Sequence, residues 1–394
     1  MSTSSNDTHQ EMFEPSRRRA VKAGAAVVGG LSLHTLAAAT ATTPSTSGGP
    51  AKAPSKAAFS PSTTAPAKAP AMAVHVLRFS HQGRVQWGVV SGHRVAPLPG
   101  EFATTADFIR HHEAGAVREF AASRAAGQAA LALDTVQILS PVTRNQQFLC
   151  QGANYRQHMI ESGLDPDAKS YNMIFTKATS CMVPADSDVI KPAHVRFLDY
   201  EIELGLILKR DMLGKTVVTE ANLHEYLAGL VIVNDYSARD IQIPQSQFYK
   251  GKSFRTFGPV GPFMCLLTQQ DVKQLGKLQL TLTVNGEVRQ KDTSANMVFG
   301  PAETLTELSG VQDLFAGDLL STGTPAGCAL SVPSPLKQRM GALLPEATKW
   351  ALFNKVQAGR PQYLKAGDVV EARIQSADGA INLGVQRNRV VDGS

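Results

Sequence analysis

A chain of 394 residues with 43% hydrophobic and 18% charged content is long enough for one large core or two modest domains, and its composition is that of a globular protein. The net charge of +6 does not point to nucleic acid: residues 1–72 hold 7 Lys/Arg against 3 Asp/Glu, leaving a nearly balanced 32 against 30 in the rest. Four scattered cysteines, Cys150, Cys181, Cys265 and Cys328, form no CxxC pair and so exclude a zinc-finger pattern, while disulfides and buried free thiols both stay open.

In chain order, Arg17-Arg18-Arg19 precedes an apolar, small-residue stretch from Ala23 to Leu36, and Ala37-Ala38-Ala39 offers an A-x-A cleavage site. Residues 1–39 are therefore predicted to be a twin-arginine export signal, with Ala20 where such signals usually carry Phe, and the mature protein to be periplasmic. The apolar stretch is too short and too rich in Gly and Ala for a transmembrane span, so no stable membrane insertion is expected after cleavage. Residues 40–72 are almost entirely Ala, Pro, Ser, Thr, Gly and Lys, a linker composition that cannot bury a core. Residues 73–140 read as a small β-rich module: alternating strands over Val74–Ser80, Val85–Ser91 and Arg94–Leu98, then a helical stretch around Ala103–Ala130.

From 141 to 394 strands dominate. Asp199-Tyr200-Glu201-Ile202-Glu203-Leu204 places Glu201 and Glu203 on one face of a strand and Ile202 and Leu204 on the other. Asp235 stands where the apolar run Leu230-Val231-Ile232-Val233 stops, ready to deliver a third carboxylate from a neighbouring strand. An acid–apolar alternation also describes a solvent-facing strand edge, but the apolar flanks of both segments predict strands buried on two faces, where carboxylates need pairing or a metal. Three acidic ligands without Cys or His nearby favour Mg²⁺ or Mn²⁺, with Ca²⁺ a third candidate, over Zn²⁺. Asn285-Gly286 between two alternating runs predicts a tight hairpin. With no βαβ alternation, repeat or glycine phosphate loop, the expected class is α+β with extensive mixed sheet.

Five segments in order then carry a recognisable pattern: Gly152-Ala153-Asn154-Tyr155-Arg156-Gln157-His158; Asp199 to Leu204; Asn234-Asp235-Tyr236-Ser237-Ala238-Arg239-Asp240-Ile241-Gln242; Lys252-Ser253-Phe254; and Ser321-Thr322-Gly323-Thr324-Pro325-Ala326-Gly327. From residue 73 to the C-terminus the chain resembles the fumarylacetoacetate hydrolase family. The resemblance implies a mixed β-roll, a homodimer, a divalent ion on Glu201, Glu203 and Asp235, and a small 2-oxo acid or 1,3-dicarbonyl substrate. It carries Lys252 over as the second positive charge for an enolate, and His158 with Glu161 as a pair on a mobile segment that activates water. Tyr155, Lys177, Arg239, Gln242, Gly323 and Thr324 fall on the substrate side, although Arg239 serves equally as a structural partner of Asp240.

Departures from the family pattern matter too. Arg255 replaces a usual Asp and is expected to add charge near the site; Gln151 stands where fumarylacetoacetate hydrolases proper carry an acidic ligand, seven residues before His158; and Ser331–Tyr363 is an extended link that would be a lid, a dimer contact or decoration. The leading expectation is hydrolysis of a carbon–carbon bond in an acylpyruvate-like acid. The alternatives are a lyase, decarboxylase, hydratase or isomerase on a related 2-oxo acid, and an exported binding protein without turnover.

Overall fold

The computed structural model describes residues 73–124, 130–333 and 335–393, which all fall in one compact unit; the signal and linker read in residues 1–72 lie outside the described residues. The class is the expected α+β. Among the described residues one large mixed sheet runs, in spatial order, through Leu131–Ala132, Arg94–Pro97, Arg84–Ser91, Val74–His81, Met264–Leu266, Leu227–Asn234, Ile202–Leu208, Leu319–Ser321, Phe148–Gly152 and Met173–Thr176. The N-terminal strands extend this sheet, Val74 pairing with Leu266. The helical stretch expected near 103–130 is two helices, Thr105–His111 and Ala114–Arg124. The first opens on a capping box between Thr104 and Asp107 and ends where His112 turns extended (φ −126°).

Ile202–Leu208 and Leu227–Asn234 are buried along their whole length, as their apolar runs predict. They pair antiparallel, Ile202 opposite Asn234 and Glu203 opposite Val233. Period-two alternation divides them between two cores. Leu204, Leu206, Leu230 and Ile232 face one core, while Ile207, Val231 and Val233 face the other. The first core is closed by a second, five-stranded sheet built on Leu278–Val284, Glu287–Thr293, Val369–Ser376, Asn382–Asp392 and Val189–Lys191. Its hairpin turns at Asn285 (φ 53°) and Gly286 (φ 83°), the two left-handed positions that an Asn-Gly turn supplies.

Strand polarity positions the site. Leu319–Ser321 runs parallel to Phe148–Gly152 and antiparallel to Ile202–Leu208. The C-terminal ends of Phe148–Gly152, Leu319–Ser321 and Leu227–Asn234 therefore meet the start of Ile202–Leu208 at one edge of the sheet.

Candidate metal centre

At that edge one carboxylate oxygen from each of Glu201, Glu203 and Asp235 lies within 4.8 Å of the others, and all three side chains are buried. Glu201 stands one residue before its strand and Asp235 one residue beyond its own, and the pairing continues between them through Asp235 N–H to the Glu201 carbonyl at 2.8 Å. The extended backbone thus keeps the two-residue spacing that turns Glu201 and Glu203 to the same side.

Cations surround these carboxylates. The Lys252 ammonium donates to Glu201 Oε2 at 2.7 Å, Asp235 Oδ2 at 2.6 Å and Ser237 Oγ at 2.8 Å. Lys177, fully buried, pairs with Asp235 and donates to the Phe257 carbonyl at 2.8 Å. Arg239 pairs with Glu201, donates from Nε to Asp199 Oδ2 at 2.8 Å and from Nη1 to Gln242 Oε1 at 2.8 Å. Among the described residues Glu203 has no ion-pair partner; it accepts from Ser321 Oγ at 2.5 Å and Gly323 N–H at 3.0 Å. The electrostatics follow. Burial, reinforced by Asp235 and Glu201, pushes Glu203 well above the usual carboxylate range, whereas at Glu201 burial is outweighed by Arg239 and Lys252, which hold it down. Burial alone would lower Lys252, but Asp235 and Glu201 raise it, so it stays an ammonium.

The donor set fits a hard divalent cation. Around an octahedral ion with oxygens at about 2.1 Å, ligand oxygens sit about 3 to 4 Å apart, within the spread found here. The four carboxylates of Asp199, Glu201, Glu203 and Asp235 face three cations, and the uncompensated one is Glu203, which has only neutral donors. An ion at these oxygens would compete with Lys252 for Glu201 and Asp235.

The other expected residues are placed less uniformly. His158 lies on the helix Arg156–Glu161 with a ring nitrogen within 4.8 Å of ligand atoms of Glu201 and Cys328, and burial lowers its pKa so that it is neutral at pH 7. Glu161, one turn on, is exposed and accepts from Gln157 at 3.4 Å; it makes no hydrogen bond to His158 in this structure. Tyr155 is wholly buried, and burial with the nearby Glu203 carboxylate pushes its hydroxyl pKa up. Of the two roles open to Arg239, pairing with Asp240 is not seen: Asp240 faces Arg196 instead, because the buried Asp199 and Glu201 lie on the guanidinium's side. Gly323 and Thr324 adjoin the site, but their donors are engaged within the fold, Gly323 N–H on Glu203 and the Thr324 hydroxyl on the Ile202 carbonyl at 3.0 Å.

Arg255, expected to add charge near the site, is exposed and pairs with none of the site carboxylates. Gln151 is buried and donates to Asn172 and Thr304, each at 3.0 Å. All four cysteines are free and buried. Within Ser331–Tyr363, described save for residue 334, the helix Glu346–Ala358 and the stretch after it dock through Phe353 and Tyr363 onto Phe197, with ring centroids 6.4 and 5.0 Å away.

Sequence reading overlooked Asp199 as a site residue, and its signal was in plain view: positions 199, 201 and 203 share one parity. Asp199 anchors Arg239 and accepts from the Ala329 and Leu330 N–H groups at 2.7 and 3.0 Å. Ser237 and Ser321 had no comparable signal, since one hydroxyl among many is marked only by what it faces.

A buried three-carboxylate centre flanked by two lysines at the strand ends of a mixed sheet is a donor set that a hard divalent cation fits. The chain belongs to the fumarylacetoacetate hydrolase family: residues 147–391 match the model described as fumarylacetoacetate (FAA) hydrolase C-terminal, and residues 75–141 match Rv2993c-like, N-terminal. It is 33% identical over 213 residues to oxaloacetate tautomerase YisK of Bacillus subtilis (strain 168), covering 53% of this chain and 68% of that one. It is 32% identical over 259 residues to the mitochondrial oxaloacetate tautomerase FAHD2A of Bos taurus, covering 65% and 70%. The fumarylacetoacetate hydrolase of psychrophilic Exiguobacterium antarcticum superposes with a TM-score of 0.60 at 28% identity, covering 81% of this chain and 100% of that one.

Proposed function

We propose that this enzyme forms and reprotonates the enolate of a 2-oxo dicarboxylic acid, with keto–enol tautomerisation of an oxaloacetate-like acid as its reaction. The observation that carries the reading is the Lys252 ammonium, buried between Glu201 and Asp235 with no solvent to dilute its charge. Lewis-acid polarisation of the 2-oxo carbonyl is what a divalent cation on Glu201, Glu203 and Asp235 would supply. Lys252 stabilises the enolate oxygen, and Lys177 holds Asp235 in place. His158, neutral and facing the cluster, carries the proton between the substrate carbon and oxygen. The two tautomerases at 32–33% identity support the same reading.

Hydrolysis of a carbon–carbon bond in an acylpyruvate is the second reading. It uses the same enolate as leaving group and His158 as base for water. His158 beside the cluster favours it; the absence of a His158–Glu161 hydrogen bond, which would orient that base, leaves tautomerisation first.

The test incubates purified enzyme plus Mg²⁺ or Mn²⁺ with enol-form oxaloacetate and, separately, with acylpyruvates in ¹⁸O-labelled water. Tautomerisation is expected to speed the decay of enol absorbance without a change of product mass. Label in an acid product would establish the hydrolase reading instead, and no acceleration of either reaction would overturn both.

A further inference from the structure

A second cluster adjoins the carboxylate centre. One ligand atom from each of His158, Glu201 and Cys328 lies within 4.8 Å of the others. We propose that these three residues form a second site, adjoining the first through the shared Glu201, for a borderline or soft divalent ion, Zn²⁺ foremost, whose occupancy ties up His158 and inhibits the enzyme. Nitrogen, oxygen and thiolate sulfur together are a zinc donor set, whereas Glu201, Glu203 and Asp235 offer oxygen alone.

The geometry is close to what zinc requires. The Cys328 thiol donates to Glu201 Oε1 with Sγ at 3.9 Å. Sulfur and oxygen on one tetrahedral zinc, at about 2.3 and 2.1 Å, stand about 3.6 Å apart, so a shift of a few tenths of an ångström closes the pair. The ion takes the place of the thiol proton along this line. Binding converts Cys328–SH to a zinc thiolate and releases one proton to solvent, with no change of oxidation state. Three protein ligands leave the fourth position open to water.

Cys328 is held for this role by its surroundings. Gly327 has a φ of 106°, and a Cβ there would strike the Arg289 carbonyl, so the loop is pressed against the strand Glu287–Thr293. Gln290 Nε2 donates to Cys328 Sγ at 3.7 Å, and the next two backbone N–H groups are fixed on Asp199. Two of the ligands are therefore on rigid, buried backbone. The third, His158, sits on a six-residue helix and is only partly buried, so it is the ligand that adjusts.

The inference shares Glu201 with the proposed reaction but does not depend on which reaction occurs. With Mg²⁺ saturating the oxygen site, equimolar Co²⁺ added to the full chain is expected to give a thiolate-to-cobalt charge-transfer band. Cys328→Ser should abolish it, Cys181→Ser should keep it, and His158→Gln should weaken cobalt binding by at least about 10-fold. Zinc should inhibit wild-type turnover, with the half-inhibiting concentration raised at least about 10-fold in Cys328→Ser while Mg²⁺-dependent turnover persists. No band in the wild type, or a band retained in Cys328→Ser, would overturn the site. Loss of Mg²⁺-dependent activity alone would instead count against the proposed function.

Discussion

Lys252 and Glu203 are the two halves of one electrostatic problem. Lys252 is a buried charge and Glu203 a buried carboxyl pushed towards its neutral form, and each is tolerable only because of what surrounds it. Replacing Lys252 with Met removes one of the two cationic partners of each of Glu201 and Asp235, and breaking such buried pairs costs about 3 to 5 kcal/mol. The expected outcome in thermal denaturation is a large loss of stability in metal-free buffer, and a gain on adding Mg²⁺ that exceeds the wild-type gain. Equal gains would show that the ion does not bind these oxygens. Glu203→Gln is expected to keep the fold, since Ser321 and Gly323 still find an acceptor, but to weaken Mg²⁺ binding at least about 10-fold by calorimetry.

His75 allows a pH prediction far from the metal ligands. Its Nε2 accepts the Asn382 N–H at 3.2 Å, and burial lowers its pKa from 6.5 to about 4. The folded state keeps the ring neutral down to about pH 4, while the unfolded chain protonates it near 6.5. Stability from this residue is therefore complete above pH 6.5 and lost as pH falls towards 4, by roughly 3 kcal/mol at most. His75→Gln should flatten that part of the stability profile in urea titrations, and an unchanged slope would remove His75 as its source.

Among elements, the strand Ile202–Leu208 bears the most constraint, because it serves two cores and the centre at once. Gly205 marks the constraint: a Cβ there would meet Val231 Cγ2 at 2.6 Å, Val233 Cγ2 at 2.8 Å and Leu319 Cδ1 at 2.9 Å. Gly205→Ala is expected to destabilise the fold by about 1 to 3 kcal/mol through overpacking, despite alanine's better strand entropy. Chemical denaturation with Mg²⁺ calorimetry in parallel would separate this from damage to the centre. A neutral substitution would mean that the sheet relaxes freely there.

At the scale of the whole molecule, the export reading of residues 1–39 makes its own prediction. Arg17→Lys with Arg18→Lys should retain the precursor in the cytoplasm and leave the enzyme's activity unchanged, as cell fractionation would show. Periplasmic accumulation of the double variant would refute it. Among the described residues no helix is long and apolar enough to cross a membrane.

Much of the fold was legible in the chain because it is written in short periods. Alternation marks the N-terminal strands, Asn285-Gly286 marks the hairpin, and the unbroken apolar runs around Glu203 and Asp235 mark strands buried on both faces. The three carboxylates were legible for the same reason: a two-residue spacing decides a face wherever the backbone is extended. What the sequence could not decide was which cation answers which carboxylate. Arg239 is adjacent to Asp240 yet pairs with Asp199 and Glu201; Glu161 follows His158 by one helical turn yet lies exposed; Arg255 stands near Lys252 in the chain yet is exposed and pairs with none of the centre's carboxylates. Cys328 meets His158 and Glu201 from across the fold. These are contacts between segments up to 170 residues apart in the chain. They are chosen by the energy of desolvating charges in a shared interior, which local periodicity does not encode and only the packed tertiary structure resolves.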